Sequence, residues 1–342
     1  MSQKKGNEGQ GGSDEISQGP KKTILIFGIS SFVGSNLAEY LKKDYRVIGT
    51  YKNNPVEIEG ILTFPLDILS QEAIQLALAS FLPEITIYCV GLSSLEACHA
   101  NEGEANILNA TGAFNVVGFT ERYKSRLIYI SSAYVFAGER IMYQEEDMAI
   151  SNSSYGKSKA SAEFFIQKTC LNYLILRCCD FYGRGLLEER ATWFEILQKK
   201  LFEGIDVGLD DSIKVGFLDV IYLAMIIKIS IEKDIHNKLF HISSTDIMSG
   251  YEFALQYAKL FDENETLIAK KFRPFPNIES SMIQPRFGQD FEYQIEIENA
   301  QSVFNVKMPS ISESLALTKY LLGGTEKKNS FSKRDRSEIE FI

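Results

Sequence analysis

The chain has 342 residues, 45% hydrophobic and 24% charged, a balance that fits one large or two smaller folded units and excludes a chain disordered throughout, a collagen repeat or a coiled coil. A formal net charge of −9, from 36 Lys+Arg against 45 Asp+Glu, repels phosphate backbones and argues against nucleic acid as the main ligand. The five cysteines (Cys89, Cys98, Cys170, Cys178, Cys179) lack C-x-x-C spacing and the three histidines (His99, His236, His241) form no ligand cluster, so neither a disulfide framework nor a metal site is expected.

In chain order, residues 1–21 are rich in Gly, Ser, Gln and charge and read as a disordered leader. They lack the apolar run of a signal peptide, so the cytoplasm is the expected compartment, where thiols stay reduced. Short aliphatic and β-branched runs then alternate with segments of helical periodicity. The runs predict strands over Thr23–Phe27, Tyr45–Thr50, Leu62–Pro65, Ile85–Val90, Arg126–Ile130, Asn172–Arg177 and Lys238–Ile242. The periodic segments predict helices over Phe32–Lys42, Gln71–Leu78, Ala105–Tyr123, Ser154–Thr169, Thr192–Phe202, Asp219–Ile231 and Gly250–Phe261. The most apolar stretch, Val220 to Ile227, stops at Lys228, far short of the roughly 20 residues that span a bilayer, so no membrane partner is expected.

This alternation predicts an α/β fold, a doubly wound parallel sheet of the Rossmann type. Segments 22–180 and 213–242 are expected to form the nucleotide-binding part, 181–212 and 243–322 a smaller substrate lobe, and 323–342 a flexible tail.

The first strand runs into Gly28-Ile29-Ser30-Ser31-Phe32-Val33-Gly34 and then an amphipathic helix, the setting of a dinucleotide phosphate loop. Gly28 permits the tight turn and Gly34 close packing of helix on strand. Backbone amides around Ser30, Ser31, Phe32 and Val33 would face a pyrophosphate at the positive end of the helix. Ser31 stands where a G-x-x-G-x-x-G loop has its middle glycine, so a hydroxyl occupies the point of closest phosphate approach.

After the second strand, where an acid would bind the adenine ribose, the chain has Lys52. A cation there suits a 2′-phosphate, which favours NADP(H), with NAD(H) the alternative; a solvated loop charge is the competing reading. Asp67 and Ile68 follow the third strand, where Asp67 fits an adenine amino group or an ordinary turn.

Tyr155 and Lys159 lie four residues apart on a predicted helix and so share one face. A neighbouring ammonium favours the phenolate, which would bring the phenol toward general acid–base work at neutral pH. With 16 tyrosines such a pair also arises by chance. Ser132 gives it weight: it ends a buried-looking strand, and the C-terminal strand ends of a doubly wound sheet form the ligand crevice.

Phosphate loop, Ser132, and Tyr155 with Lys159, in this order, resemble the extended short-chain dehydrogenase/reductases across about residues 22–322. More narrowly, Tyr129-Ile130-Ser131-Ser132-Ala133-Tyr134-Val135-Phe136-Ala137-Gly138 resembles the I-S-T-D-Y-V-F-D-G segment of dTDP-4-dehydrorhamnose reductases. Asn109-Ala110-Thr111-Gly112 is similar to the extended group's N-x-x-G-T helix start, Asp211 to Phe217 to the reductases' D-Q-x-x-x-P-T stretch, and Pro285-Arg286 to their late R-P pair.

The resemblance implies that Ser132 polarises a ketone, Tyr155 donates the proton, and Lys159 tunes Tyr155 and binds the nicotinamide ribose. It implies that Val90, Gly91 and Ser93 line the nicotinamide and sugar pocket, Tyr134 contacts the substrate, and Arg286 holds its diphosphate. Ala133 replaces the reductases' Asp and Gly216-Phe217 their Pro-Thr, so a reshaped sugar pocket is expected. Ala133-Tyr134 also takes the place of the dehydratases' Asp-Glu pair, which argues against dehydration.

The implied activity is NADP(H)-dependent reduction of a nucleotide-activated 4-keto-6-deoxy sugar for polysaccharide or O-antigen synthesis. Two alternatives stand beside it: an NAD-dependent nucleotide-sugar epimerase, and a non-catalytic NADP-binding regulatory subunit, since the β subunit of methionine adenosyltransferase resembles this family. Apolar residues to spare on the Ala105 and Ser154 helices, Phe114, Phe119, Phe164 and Phe165 among them, together with the resemblance, imply a homodimer contact.

Overall fold

The computed structural model describes residues 21–139, 141–186, 190–271 and 291–323. Seven strands form its central sheet: Thr23–Phe27 (β1), Arg46–Tyr51 (β2), Leu62–Pro65 (β3), Ile85–Tyr88 (β4), Arg126–Ser132 (β5), Tyr173–Cys178 (β6) and Lys238–Ile242 (β7). They lie in the order β7-β6-β5-β4-β1-β2-β3, all parallel. Every residue of β1 is buried. Alternation sends Ile24 and Ile26 into the core on one face and Leu25 and Phe27 into the core on the other, which is why the sequence shows an unbroken apolar run. The order reverses between β1 and β4, so a crevice opens beyond their C-terminal ends, the place where doubly wound sheets bind ligands.

The helices are Phe32–Leu41 (α1), Gln71–Phe81 (α2), Leu95–Ala100 (α3), Glu102–Asn106 (α4), Gly112–Tyr123 (α5), Ser154–Thr169 (α6), Trp193–Phe202 (α7), Val220–Glu232 (α8), Gly250–Phe261 (α9), Glu298–Phe304 (α10) and Ile311–Leu321 (α11). α1 packs with α8, and α2 with α5. None of the described helices is long and apolar enough to cross a membrane. A second sheet joins Met248–Ser249, Ile213–Val215, Phe291–Ile295 and Met142–Tyr143 in that order and forms the base of a smaller lobe. Ile213–Val215 therefore pairs there and not in the central sheet.

The helix expected over Ala105–Tyr123 is interrupted: between α4 and α5 the chain makes a π-helical turn, Ile107–Thr111. The extra residue per turn aims Asn109 inward. Its Oδ1 accepts from the Leu92 N–H at 3.0 Å and its Nδ2 donates to the Leu92 carbonyl at 3.0 Å and to Ser158 Oγ at 2.9 Å. A regular helix would carry that amide away from the loop after β4, so tertiary hydrogen bonds override local periodicity.

Two buried polar groupings fasten distant segments. Glu163 on α6 receives both Nε and Nη2 of Arg177 on β6, the latter at 2.8 Å, and the Ser131 hydroxyl. Near the chain's end, Ser314 on α11 accepts from Tyr182 Oη at 2.7 Å and from the Asp219 N–H at 3.0 Å, while Thr318 donates to Asp219 Oδ2 at 2.9 Å.

Candidate active site

The turn after β1 is dictated by its glycines. Gly28 has φ +83, and a Cβ there would meet the Cys89 carbonyl and the Val90 nitrogen at 2.9 Å. A Cβ on Gly34 would lie 2.4 Å from the Gly28 oxygen. Ser31 is the N-cap of α1, its Oγ accepting from the Gly34 N–H at 3.0 Å. The Ser31 oxygen thus has an intramolecular use, and its hydroxyl donates to none of the described residues. Phe32 and Val33 are the first two residues of α1, where a helix offers unpaired amides; with Ser30 they edge the loop.

At the ends of β2 and β3, Lys52 Nζ and Asp67 Oδ2 form an ion pair of 2.8 Å, both side chains about half exposed. The Lys52 hydrogen bond, with help from the Leu69 N–H, holds the Asp67 carboxyl below its usual range. The two adenosine-side candidates therefore touch each other. Ile68 is buried under α5, so close to Gly112 that a Cβ there would lie 3.0 Å from it.

Beyond β4, Gly91 makes room for Asn109: a Cβ on it would sit 2.4 Å from Asn109 Oδ1 and 3.8 Å from Lys159 Nζ. Val90 beside it is half-buried and Ser93 exposed. Gly216, which replaces the reductases' proline, is likewise forced, since a Cβ would fall 2.1 Å from Ser243 Oγ.

Ser132 ends β5, and its Oγ accepts the Tyr134 N–H at 3.2 Å. Ser153 caps α6, setting Tyr155 and Lys159 in its first turns on the face toward β5. Gly156 lets the helix approach so closely that a Cβ would stand 1.9 Å from the Tyr134 carbonyl. Lys159 Nζ donates to the Ile130 carbonyl at 2.9 Å and lies 5.0 Å from the Tyr129 ring centroid and 5.9 Å from that of Tyr155. Ser132, Tyr155 and Lys159 thus converge at the C-terminal end of β5.

Burial sets the electrostatics. It pushes the Lys159 ammonium down to about 8 and the Tyr155 phenol upward, with a hydrogen bond from Ser132 as the first counterweight. The ammonium was expected to ease ionisation of the phenol; instead desolvation dominates, because both groups are buried, at 8% and 7% exposure, and Lys159 spends a hydrogen on Ile130. A buried phenol above its ordinary value keeps its proton at neutral pH.

Tyr134, in the turn after β5, donates its hydroxyl to Asp180 Oδ2 at 3.2 Å, with its ring 6.1 Å from Tyr155 and 4.6 Å from Tyr293. Sequence reasoning passed over Asp180, Tyr293 and the inward use of Asn109. Asp180 follows the C-terminal end of β6, the positional signal that singled out Ser132, whereas Tyr293 reaches the crevice from the small sheet and has no local signature. Arg286 lies outside the described residues.

Together these features define a nucleotide-binding protein of the extended short-chain dehydrogenase/reductase type. Residues 22–317 match the RmlD substrate binding domain, and the chain belongs to that family. It is 25% identical over 233 residues to the spore coat polysaccharide biosynthesis protein SpsK of Bacillus subtilis, covering 68% of this chain and 76% of that protein. It is 24% identical over 249 residues to methionine adenosyltransferase 2 subunit beta of Rattus norvegicus, covering 71% and 73%. Among solved structures, a dTDP-4-dehydrorhamnose reductase from Bacillus anthracis in complex with NADP superposes with a TM-score of 0.71 at 22% identity, over 88% of this chain and 99% of that one.

Proposed function

We propose that this protein reduces the ketone of a nucleotide-activated 4-keto-6-deoxy sugar with NADPH. The observation that carries the reading is the convergence of Ser132, Tyr155 and Lys159 at the edge of a Rossmann crevice in a chain of the RmlD family. Ser132 orients the carbonyl oxygen by hydrogen bonding. Tyr155 gives that oxygen its proton. Lys159 holds a positive charge, anchored to Ile130, beside the phenol that loses one.

The glycine-shaped turn at Gly28, with the amides of Ser30, Ser31, Phe32 and Val33, fits a dinucleotide's diphosphate. Lys52 would meet the adenosine 2′-phosphate while still in reach of Asp67, and Ile68, Val90 and Gly91 would line the remaining length. The bound dinucleotide supplies hydride. NAD(H) stays the alternative cofactor because Lys52 is partly neutralised by Asp67. Ser93, Tyr134 and Arg286 are assigned to the sugar nucleotide, residues 181–212 and 243–322, with Ile213–Val215 joined to them through the second sheet, to its lobe, and the cytoplasm is the expected compartment. An exposed apolar face on α6, with Phe164 65% exposed near the packed Phe114–Phe165 pair, is assigned to a homodimer contact.

The relatedness to a methionine adenosyltransferase β subunit favours a second reading, an NADP-binding regulatory subunit. Purified protein with NADPH and a panel of dTDP- and UDP-linked 4-keto-6-deoxy sugars should oxidise NADPH. Binding of NADPH without turnover of any ketosugar would replace the first reading by the second, and equilibration of sugar epimers without net NADPH loss would replace it by epimerisation.

A further inference from the structure

Asp180 is a carboxylate at the crevice whose one hydrogen-bond partner among the described residues is the Tyr134 hydroxyl. The groups facing it come from three other elements: Tyr134 after β5, Tyr155 on α6 and Tyr293 in the small sheet, with Cys179 beside it on its own segment. Burial raises all four, so all are neutral at pH 7. No lysine or arginine of the described residues compensates Asp180, and burial lifts its carboxyl to about 6. An ionised carboxylate accepts hydrogen bonds and donates none, and one donor leaves most of its lone-pair sites open. Retaining such a charge without a cation is costly, and phosphate oxygens would be repelled by it.

We infer that Asp180, braced by Tyr134, is the specificity residue of the sugar pocket: it receives a hydrogen-bond donor, hydroxyl or protonated amine, carried by the sugar ring close to the ketone that Ser132 and Tyr155 hold. This rests on the ketosugar reading above. It gives the site a polar demand: a ring lacking that donor leaves the carboxylate unmatched, and sites built on such a match discriminate strongly.

The test compares dTDP-4-keto-6-deoxyhexoses bearing a 3-hydroxyl, a 3-amino group or hydrogen at C3, and their 2-deoxy counterparts, in the wild type, Asp180→Asn and Tyr134→Phe, with NADPH binding as the control for folding. The wild type should prefer at least one donor-bearing sugar over its deoxy analogue by about 100-fold or more in kcat/KM. Asp180→Asn should cut that preference to below about tenfold and abolish any advantage of amine over hydroxyl, with NADPH affinity unchanged. In the wild type KM for the preferred sugar should rise as pH falls through about 6, and Tyr134→Phe, which removes a hydrogen bond favouring the carboxylate, should move that limb to higher pH. Equal preference in the wild type and Asp180→Asn, or an acid limb that Tyr134→Phe leaves in place, overturns the role of Asp180 alone. A wild type that neither binds nor reduces any of these sugars overturns the function as well.

Discussion

Tyr155 sits in surroundings that hold its proton, and Ser132 is the group that opposes them. Tyr155→Phe removes the proton while keeping the ring, so kcat for ketosugar reduction should fall about 10²–10⁴-fold with NADPH binding retained, as single-turnover kinetics and cofactor titration would show. Asp180 acts on stability with the opposite sign from a paired acid. Its folded value, about 6, lies above the 3.8 of a free carboxyl; ionisation therefore costs nothing below about pH 4, and the cost grows to its full size above about pH 6. Asp180→Asn should thus stabilise the protein at pH 7 by on the order of 1–3 kcal/mol, and the gain should vanish near pH 4 in denaturant melts. A variant less stable than the wild type at pH 7 would mean that the carboxylate is favourably paired.

At the scale of elements, the residues that spoke most clearly were those whose signal is local. β1, β3, β7, α6 and α9 carry their own boundaries, because a buried strand or a capped amphipathic helix is written in consecutive residues. The two- and three-residue strands of the small lobe were not legible, since they exist only through partners far along the chain, as Ile213–Val215 does through Phe291–Tyr293. α11 was readable: Ser310 and Glu313 form a capping box, a signature present in the sequence and passed over. Within the site, Ser132, Tyr155 and Lys159 followed from strand-end position and helical spacing, whereas the contact of Lys52 with Asp67 joins two strand ends that no spacing relates. The exposed face of α6 yields its own prediction: Phe164→Glu places a charge on the proposed dimer contact and should convert dimer to monomer in light scattering, while a wild type already monomeric would remove that contact.

For the whole molecule, His241 contributes to acid sensitivity. It is fully buried, its Nδ1 is 3.1 Å from the Glu296 carbonyl, and burial, then the Arg177 guanidinium, press it down to about 3 from 6.5. The unfolded chain takes up a proton below about pH 6.5 that the folded one refuses, so stability should fall by about 1.4 kcal/mol per pH unit between about pH 6 and 3.5 from this group alone. His241→Gln should flatten that slope in urea midpoints measured across this range. An unchanged slope would assign acid sensitivity to other groups.

The seam between α11 and the segments at Tyr182 and Asp219 bears on the order in which the molecule is assembled. Its hydrogen bonds close loops of 132 and 99 residues, long excursions whose entropy must be met before the bonds reward it. While a nascent chain still lacks Ser314 and Thr318, the Asp219 carboxylate and the Tyr182 hydroxyl stay without these partners. Strands β1 to β5 make none of these seam bonds, although α1 still waits for α8 and for the Arg184 carbonyl that Asn36 reaches, so synthesis should yield the paired strands of the nucleotide side first and the full crevice only after the later helices have docked.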